Sequence, residues 1–174
     1  MTKFFYFLVI SAFMLNSCSK AVNAITSSLP SSGNSLTVNG DIFKSQAMTI
    51  VVLKTIDTTF SSTNTTVLTV IGLASDTLNV NIVITFPGKT TLSNAVFTST
   101  TASAPVDIAL TITPISSPTA ARTYASSSGS LSVTAFGAIG TNITGTFTGS
   151  FTPASGASTG ITVSSGAFSV KRTD

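Results

Sequence analysis

Between Leu78 and Phe86 the chain reads LNVNIVITF, with Leu78, Val80, Ile82, Ile84 and Phe86 in step and Asn79, Asn81, Val83 and Thr85 between them. A repeat of two puts one set of side chains on one face of an extended strand, and a helix cannot use it. The pattern recurs at Ile108-Ala109-Leu110-Thr111-Ile112 and at Leu131-Ser132-Val133. Ile143, Phe147 and Phe151 form another same-face set with Gly145 and Gly149 between them, and Ile161, Val163, Phe168 and Val170 close the series. Met48–Leu53 and Val67–Leu73 are apolar at both phases, which predicts strands covered on both faces. Turn residues cut these runs at short intervals: Asn39-Gly40, Pro87-Gly88, Ser128-Gly129, Gly137 with Gly140, Pro153 to Gly156, and Ser165-Gly166. The expectation is an all-β fold over residues 35–174, a single antiparallel β-sandwich of about nine or ten strands, with a closed β-barrel as the alternative.

Composition narrows what such a domain does. Ser and Thr number 59 of 174 residues, against eight cations and five carboxylates. Thr favours strands and tolerates water, so hydroxyls supply the polar face that charges supply elsewhere. At 43% hydrophobic with strict alternation, the chain has too much burial potential for a disordered Ser/Thr stalk. The absence of His and the single Cys exclude a zinc site of the usual Cys/His type and any Ser-His-Asp or Cys-His catalytic unit. A net charge of +3 with no basic cluster excludes a nucleic-acid partner.

The N-terminus is the most specific stretch. Lys3 precedes the apolar run Phe4–Leu15 (FFYFLVISAFML), the length of a signal-peptide core and short of a transmembrane span. It ends in Leu15-Asn16-Ser17-Cys18, which resembles the lipobox of bacterial lipoproteins. That resemblance implies cleavage between Ser17 and Cys18 and lipidation of Cys18. A lone thiol in an exported chain has no disulfide partner, which agrees. Alternatives are a secreted protein cut after Ala24 and an uncleaved anchor. Residues 1–17 are thus expected to be a lipoprotein signal peptide and 18–34 a flexible tether after the acylated Cys, with small polar residues, Pro30 and Gly33.

Two further blocks carry a resemblance. Leu36-Thr37-Val38-Asn39-Gly40-Asp41-Ile42-Phe43 is similar to the opening hairpin of small Bacteroidetes-type lipoproteins with a single β domain of unknown function. Residues 128–170 are similar to their closing strands, with Ile143, Gly145, Thr146, Phe147 and Phe151 in the middle block and Gly166 and Phe168 in the last. The resemblance implies a lipid-anchored envelope protein on the outer membrane. No acidic residue follows Cys18 in Ser19-Lys20-Ala21-Val22, which favours a periplasm-facing position over the cell surface.

Candidate chemistry is sparse. Asp41, Asp57, Asp76 and Asp107 could in principle pair for glycoside hydrolysis; the plainer reading puts Asp41 after a hairpin turn, Asp57 and Asp76 in or beside loops, and Asp107 at a strand start. No D-x-D-x-D-G spacing offers a Ca²⁺ loop, and no metal or cofactor is expected. Asp57-Thr58-Thr59 and Asp76-Thr77-Leu78 resemble a short O-glycan acceptor of such bacteria, which makes Thr58 and Thr77 the candidate sites. Asn64 and Asn142 match the N-glycan acceptor, rarely used by a bacterial lipoprotein. Thr144, Thr146, Thr148, Ser150 and Thr152 form a hydroxyl ladder, read as a solvent face, and Lys171 and Arg172 as a solubilising end. The expected function is non-enzymatic: a lipid-anchored envelope module, structural or interacting with a protein or glycan. The alternative is a ligand- or glycan-binding lipoprotein with an apolar cavity between sheets lined by Phe86, Phe97 and Phe147.

Overall fold

A computed structural model describes residues 33–60, 63–98 and 106–173. Among the described residues ten strands form: β1 (Ser35–Gly40), β2 (Phe43–Thr49), β3 (Val51–Phe60), β4 (Thr65–Ser75), β5 (Leu78–Pro87), β6 (Leu92–Thr98), β7 (Asp107–Pro114), β8 (Arg122–Phe136), β9 (Asn142–Ser155) and β10 (Ile161–Lys171), with one 3₁₀ turn at Pro118–Ala120. All pairings are antiparallel. Among the described residues no helix is long and apolar enough to cross a membrane.

The all-β antiparallel expectation holds, but the layering differs from a two-sheet sandwich. The ten strands belong to one hydrogen-bonded sheet in the order β2-β1-β10-β9-β8-β7-β5-β4-β3, with β6 also on β8. Its two edge strands, β2 and β3, are separated in the chain by Ile50 alone. The sheet must therefore curl until its edges meet at that residue. It stops at a half-barrel: no ladder joins β3 to β10 or β2 among the described residues. Asn34, almost fully buried, ties the seam. Its side chain donates to Ser169 O (3.2 Å) and accepts from Ser169 N (2.8 Å), as a strand backbone would, while its own carbonyl accepts from Ile50 N (2.9 Å).

On β9 and β10 aromatic rings lie on glycines. Gly145 faces Phe168 and Gly166 faces Phe147 across the β9–β10 ladder. A Cβ on Gly166 would stand 2.6 Å from the Phe147 ring, and one on Gly145 2.4 Å from Phe168. Each ring fills the space a side chain would take, so the strands can bend inward without leaving a void. Ser165-Gly166 is accordingly a bulge inside β10, and Ser128-Gly129 lies inside β8 with Phe97 opposite, both corrections to the turn reading. The concave side is one apolar core that includes Val80, Ile82, Ile84, Phe86, Ile108, Leu110, Ile112, Phe147 and Phe168.

The first hairpin also differs from its sequence reading. Gly40 pairs with Phe43, so Asp41-Ile42 is the two-residue loop rather than Asn39-Gly40. Gly40 takes φ +106°, and a Cβ there would meet Gly160 O at 2.7 Å. The turn is set by that close approach and by the capture of Asp41 described next. The doubly apolar runs are not covered on both faces either: Leu53 is exposed, Val51 and Val52 are half-exposed, and Val67, Ile71 and Leu73 are half-exposed on the convex side.

Candidate functional site

The densest polar grouping lies at the end of the curled sheet where the β1–β2 turn reaches the middle strands. Asp41 Oδ2 accepts from Arg122 Nη1 and from Tyr124 OH, both at 2.7 Å. Asp41 Oδ1 accepts from Ser158 Oγ at 2.9 Å. The carboxylate side chain is 2% exposed and Tyr124 is fully buried, while Arg122 keeps 24% of its side chain exposed. Arg122 and Tyr124 are two apart on β8 and share its inward face. Ser158 comes from the β9–β10 loop, so one carboxylate ties together an edge hairpin, a central strand and a loop.

The electrostatics follow. Burial pushes the Asp41 carboxyl up, but the hydrogen bonds from Tyr124, Ser158 and Arg122 and the Arg122 charge outweigh it and hold it below the usual carboxylate range. Burial, then the hydrogen bond to Asp41 and that residue's charge, push the Tyr124 phenol well above its usual range. An ionised carboxylate with both oxygens engaged, beside a neutral phenol and a fixed cation, is a poor proton carrier and a good brace. None of these partners is near Asp41 in sequence, at separations of 81, 83 and 117 residues. The one local hint was Arg122-Thr123-Tyr124, which puts a cation and a phenol on the same face of a strand.

The remaining candidates are dispersed. Asp57 lies within β3 rather than in a loop, buried, with its Oδ2 accepting from Thr173 N at 3.0 Å. Asp76 is exposed in the β4–β5 turn. Asp107 begins β7 as expected and accepts from Ser126 Oγ at 2.7 Å. Asp57 points inward and Asp107 is exposed on the convex side, so the sheet lies between them. Among the described residues no three His, Cys, Asp or Glu side chains come together.

Thr77 is exposed at the β4–β5 turn, its hydroxyl 3.0 Å from that of Ser75. Thr58 is half-buried within β3, and its neighbour Asp57 faces the interior, so that acceptor triplet is not displayed as a surface motif. Asn64 stands at the β3–β4 turn, and Asn142 at the start of β9 donates to Ser169 Oγ at 2.9 Å. Ser17 and Cys18, with the whole signal and most of the tether, lie outside the described residues.

Arg172 is a tie rather than a solubilising end. Its guanidinium sits 4.8 Å over the Phe136 ring and donates to Gly137 O at 2.7 Å, while its backbone exchanges hydrogen bonds with Thr141 and Gly140. Phe86, Phe97 and Phe147 are buried in the core. An open groove of about 430 Å³ does lie between β6 and β8, lined by Thr91, Leu92, Ser93, Ser132, Val133 and Thr134. Thr144, Thr146, Thr148, Ser150 and Thr152 stand on the outer side of β9, opposite Ser132, Ser130 and Ser128 of β8.

Comparison with known proteins adds no relative: no family model matches the chain, and neither the curated proteins nor the solved structures yield a match.

Proposed function

We propose that the chain is a lipid-anchored cell-envelope protein of the small Bacteroidetes-type lipoprotein kind, whose β domain works as a structural or interaction module. The observation that carries this reading is the placement of the single Cys directly after the apolar run, in Leu15-Asn16-Ser17-Cys18. Cleavage before Cys18 and its acylation give two or three chains, enough for stable attachment to a bilayer. The absence of acids after Cys18 favours an outer-membrane position facing the periplasm. The β domain supports a binding role over catalysis because its most structured polar group, Asp41, is spent on three internal donors.

Metabolic labelling with a fatty-acid probe tests the anchor. The parent chain is expected to take up label and to partition with membranes, and Cys18→Ala to lose both. Label retained by Cys18→Ala would sink the reading.

A further inference from the structure

The convex side of β3, β4, β5 and β7 carries an aliphatic field with opposite charges at two opposite corners. Strand register sets Lys54, Ile71, Asn81 and Thr111 in one row, then Ile56, Thr69, Val83 and Ala109, then Thr58, Val67, Thr85 and Asp107. Ile56 is 37% exposed, and Leu53, at the bulge beside Lys54, is 49% exposed. Lys54 and Asp107 are both exposed, and Ser126 holds the Asp107 carboxylate in place. Strands lie about 4.8 Å apart and same-face residues repeat about every 6.8 Å along them, so the field is a near-square of roughly 14 Å a side.

A near-square with unlike charges on one diagonal is self-complementary. A two-fold axis lying in its plane along the other diagonal lays Lys54 of one copy on Asp107 of the other, twice. The same operation crosses the strands of the two sheets near 90°, one of the two ways sheets pack face to face. It also closes the contact, as an isologous dimer requires. Asn81 stands inside the field with its Oδ1 shielded and accepting no hydrogen bond among the described residues, and the operation brings it over β7 of the second copy.

We propose that this field is the contact surface of a homodimer in which Lys54 of each copy pairs with Asp107 of the other. A field of this size covers only about 200 Å² per copy, against about 800 Å² per partner in a standard interface, so the dimer is weak and its population rises with concentration. The inference stands on the sheet alone and does not depend on the lipid anchor.

Cysteine cross-linking in the full chain tests the geometry, with Cys18 left in place and the parent as the background. Oxidising a mixture of Lys54→Cys and Asp107→Cys chains is expected to give a covalent dimer above that background, and neither variant alone to do so. Sedimentation tests the charges: Lys54→Asp or Asp107→Lys alone weakens self-association about fivefold, from two rim pairs lost per dimer, and the two together restore it. A dimer from Lys54→Cys alone would mean β3 lies over β3 and would overturn the pairing. A chain that stays monomeric at high concentration, or binds phospholipid vesicles through this face instead, would overturn the proposal.

Discussion

The two halves of the curled sheet solve the same problem with different residues. On β9 the inner face alternates glycines with rings, Gly145, Phe147, Gly149 and Phe151, while the outer face of β8 and β9 is a hydroxyl array with Ser128, Ser130 and Ser132 beside Ser150, Thr148 and Thr146. In β4 and β5 the inner face is largely aliphatic, with Leu68, Val70, Val80, Ile82 and Ile84, and the outer face of β3, β4 and β5 shows Leu53, Ile56, Val67, Ile71 and Val83 among its threonines. A chain with so few charges keeps an outer strand face in water through hydroxyls. Where they thin out, aliphatic surface stays open. The contrast separates a solvent face from a contact face within one sheet.

The inner difference gives the largest expected effects. Phe147→Ala removes a ring that nothing else can replace, because Gly166 beneath it has no side chain to fill the space. A loss of about 3–5 kcal/mol is expected in urea unfolding. Gly166→Ala pushes the other way, into the ring at 2.6 Å, and should cost about 1–3 kcal/mol. Adding Phe147→Leu to Gly166→Ala should recover part of that loss. If Gly166→Ala were neutral, ring-on-glycine packing would not be what shapes this half.

The brace at Asp41 joins an edge hairpin to β8, and its loss should be intermediate. Asp41→Ala leaves Arg122 and Tyr124 without their acceptor, but Arg122 can turn to solvent, so about 1–3 kcal/mol is expected. The sign with pH follows from the shifts. The folded Asp41 carboxyl sits below its unfolded value of 3.8, so its contribution is present above about pH 4 and falls away as pH drops through the folded value. The folded Tyr124 phenol sits above its unfolded value of 10.0, so its contribution holds below pH 10 and is lost as pH rises past that. Melting temperature against pH should therefore fall at both ends. Asp41→Asn should flatten the acid limb, and an acid limb of unchanged depth in that variant would assign it to another carboxylate.

How much of this was legible depended on whether the signal was local. Period two identified β5 and β7 and the inward set Ile143, Phe147 and Phe151, because alternation is written in adjacent residues. Glycine was misread at Ser128-Gly129 and Ser165-Gly166: the same residue that permits a turn also permits a ring to lie across a strand, and only the partner strand decides which. One sheet instead of two depended on Ile50 being a corner, which the apolar run Met48–Leu53 does not mark. The Asp41 brace depended on partners from distant strands. Its residues were visible singly, but their meeting was not.

The outer faces should give the smallest stability effects and the clearest functional contrast. Thr148→Val replaces an exposed hydroxyl on β9 with a β-branched isostere, and Ile71→Thr makes the converse change on β4. Both keep strand preference and neither opens the core, so each should move stability by less than about 0.5 kcal/mol. Their effects on association should diverge. Ile71→Thr takes an aliphatic group from the row beside Lys54 in the charged-corner field and should lower self-association, while Thr148→Val should leave it unchanged and reduce solubility instead. Paired light-scattering and solubility measurements on the two variants read this directly. Equal effects on both would mean that hydroxyl and aliphatic faces are interchangeable solvent surfaces. Opposite effects would tie the uneven spread of Ser and Thr over the sheet to the placement of a contact surface.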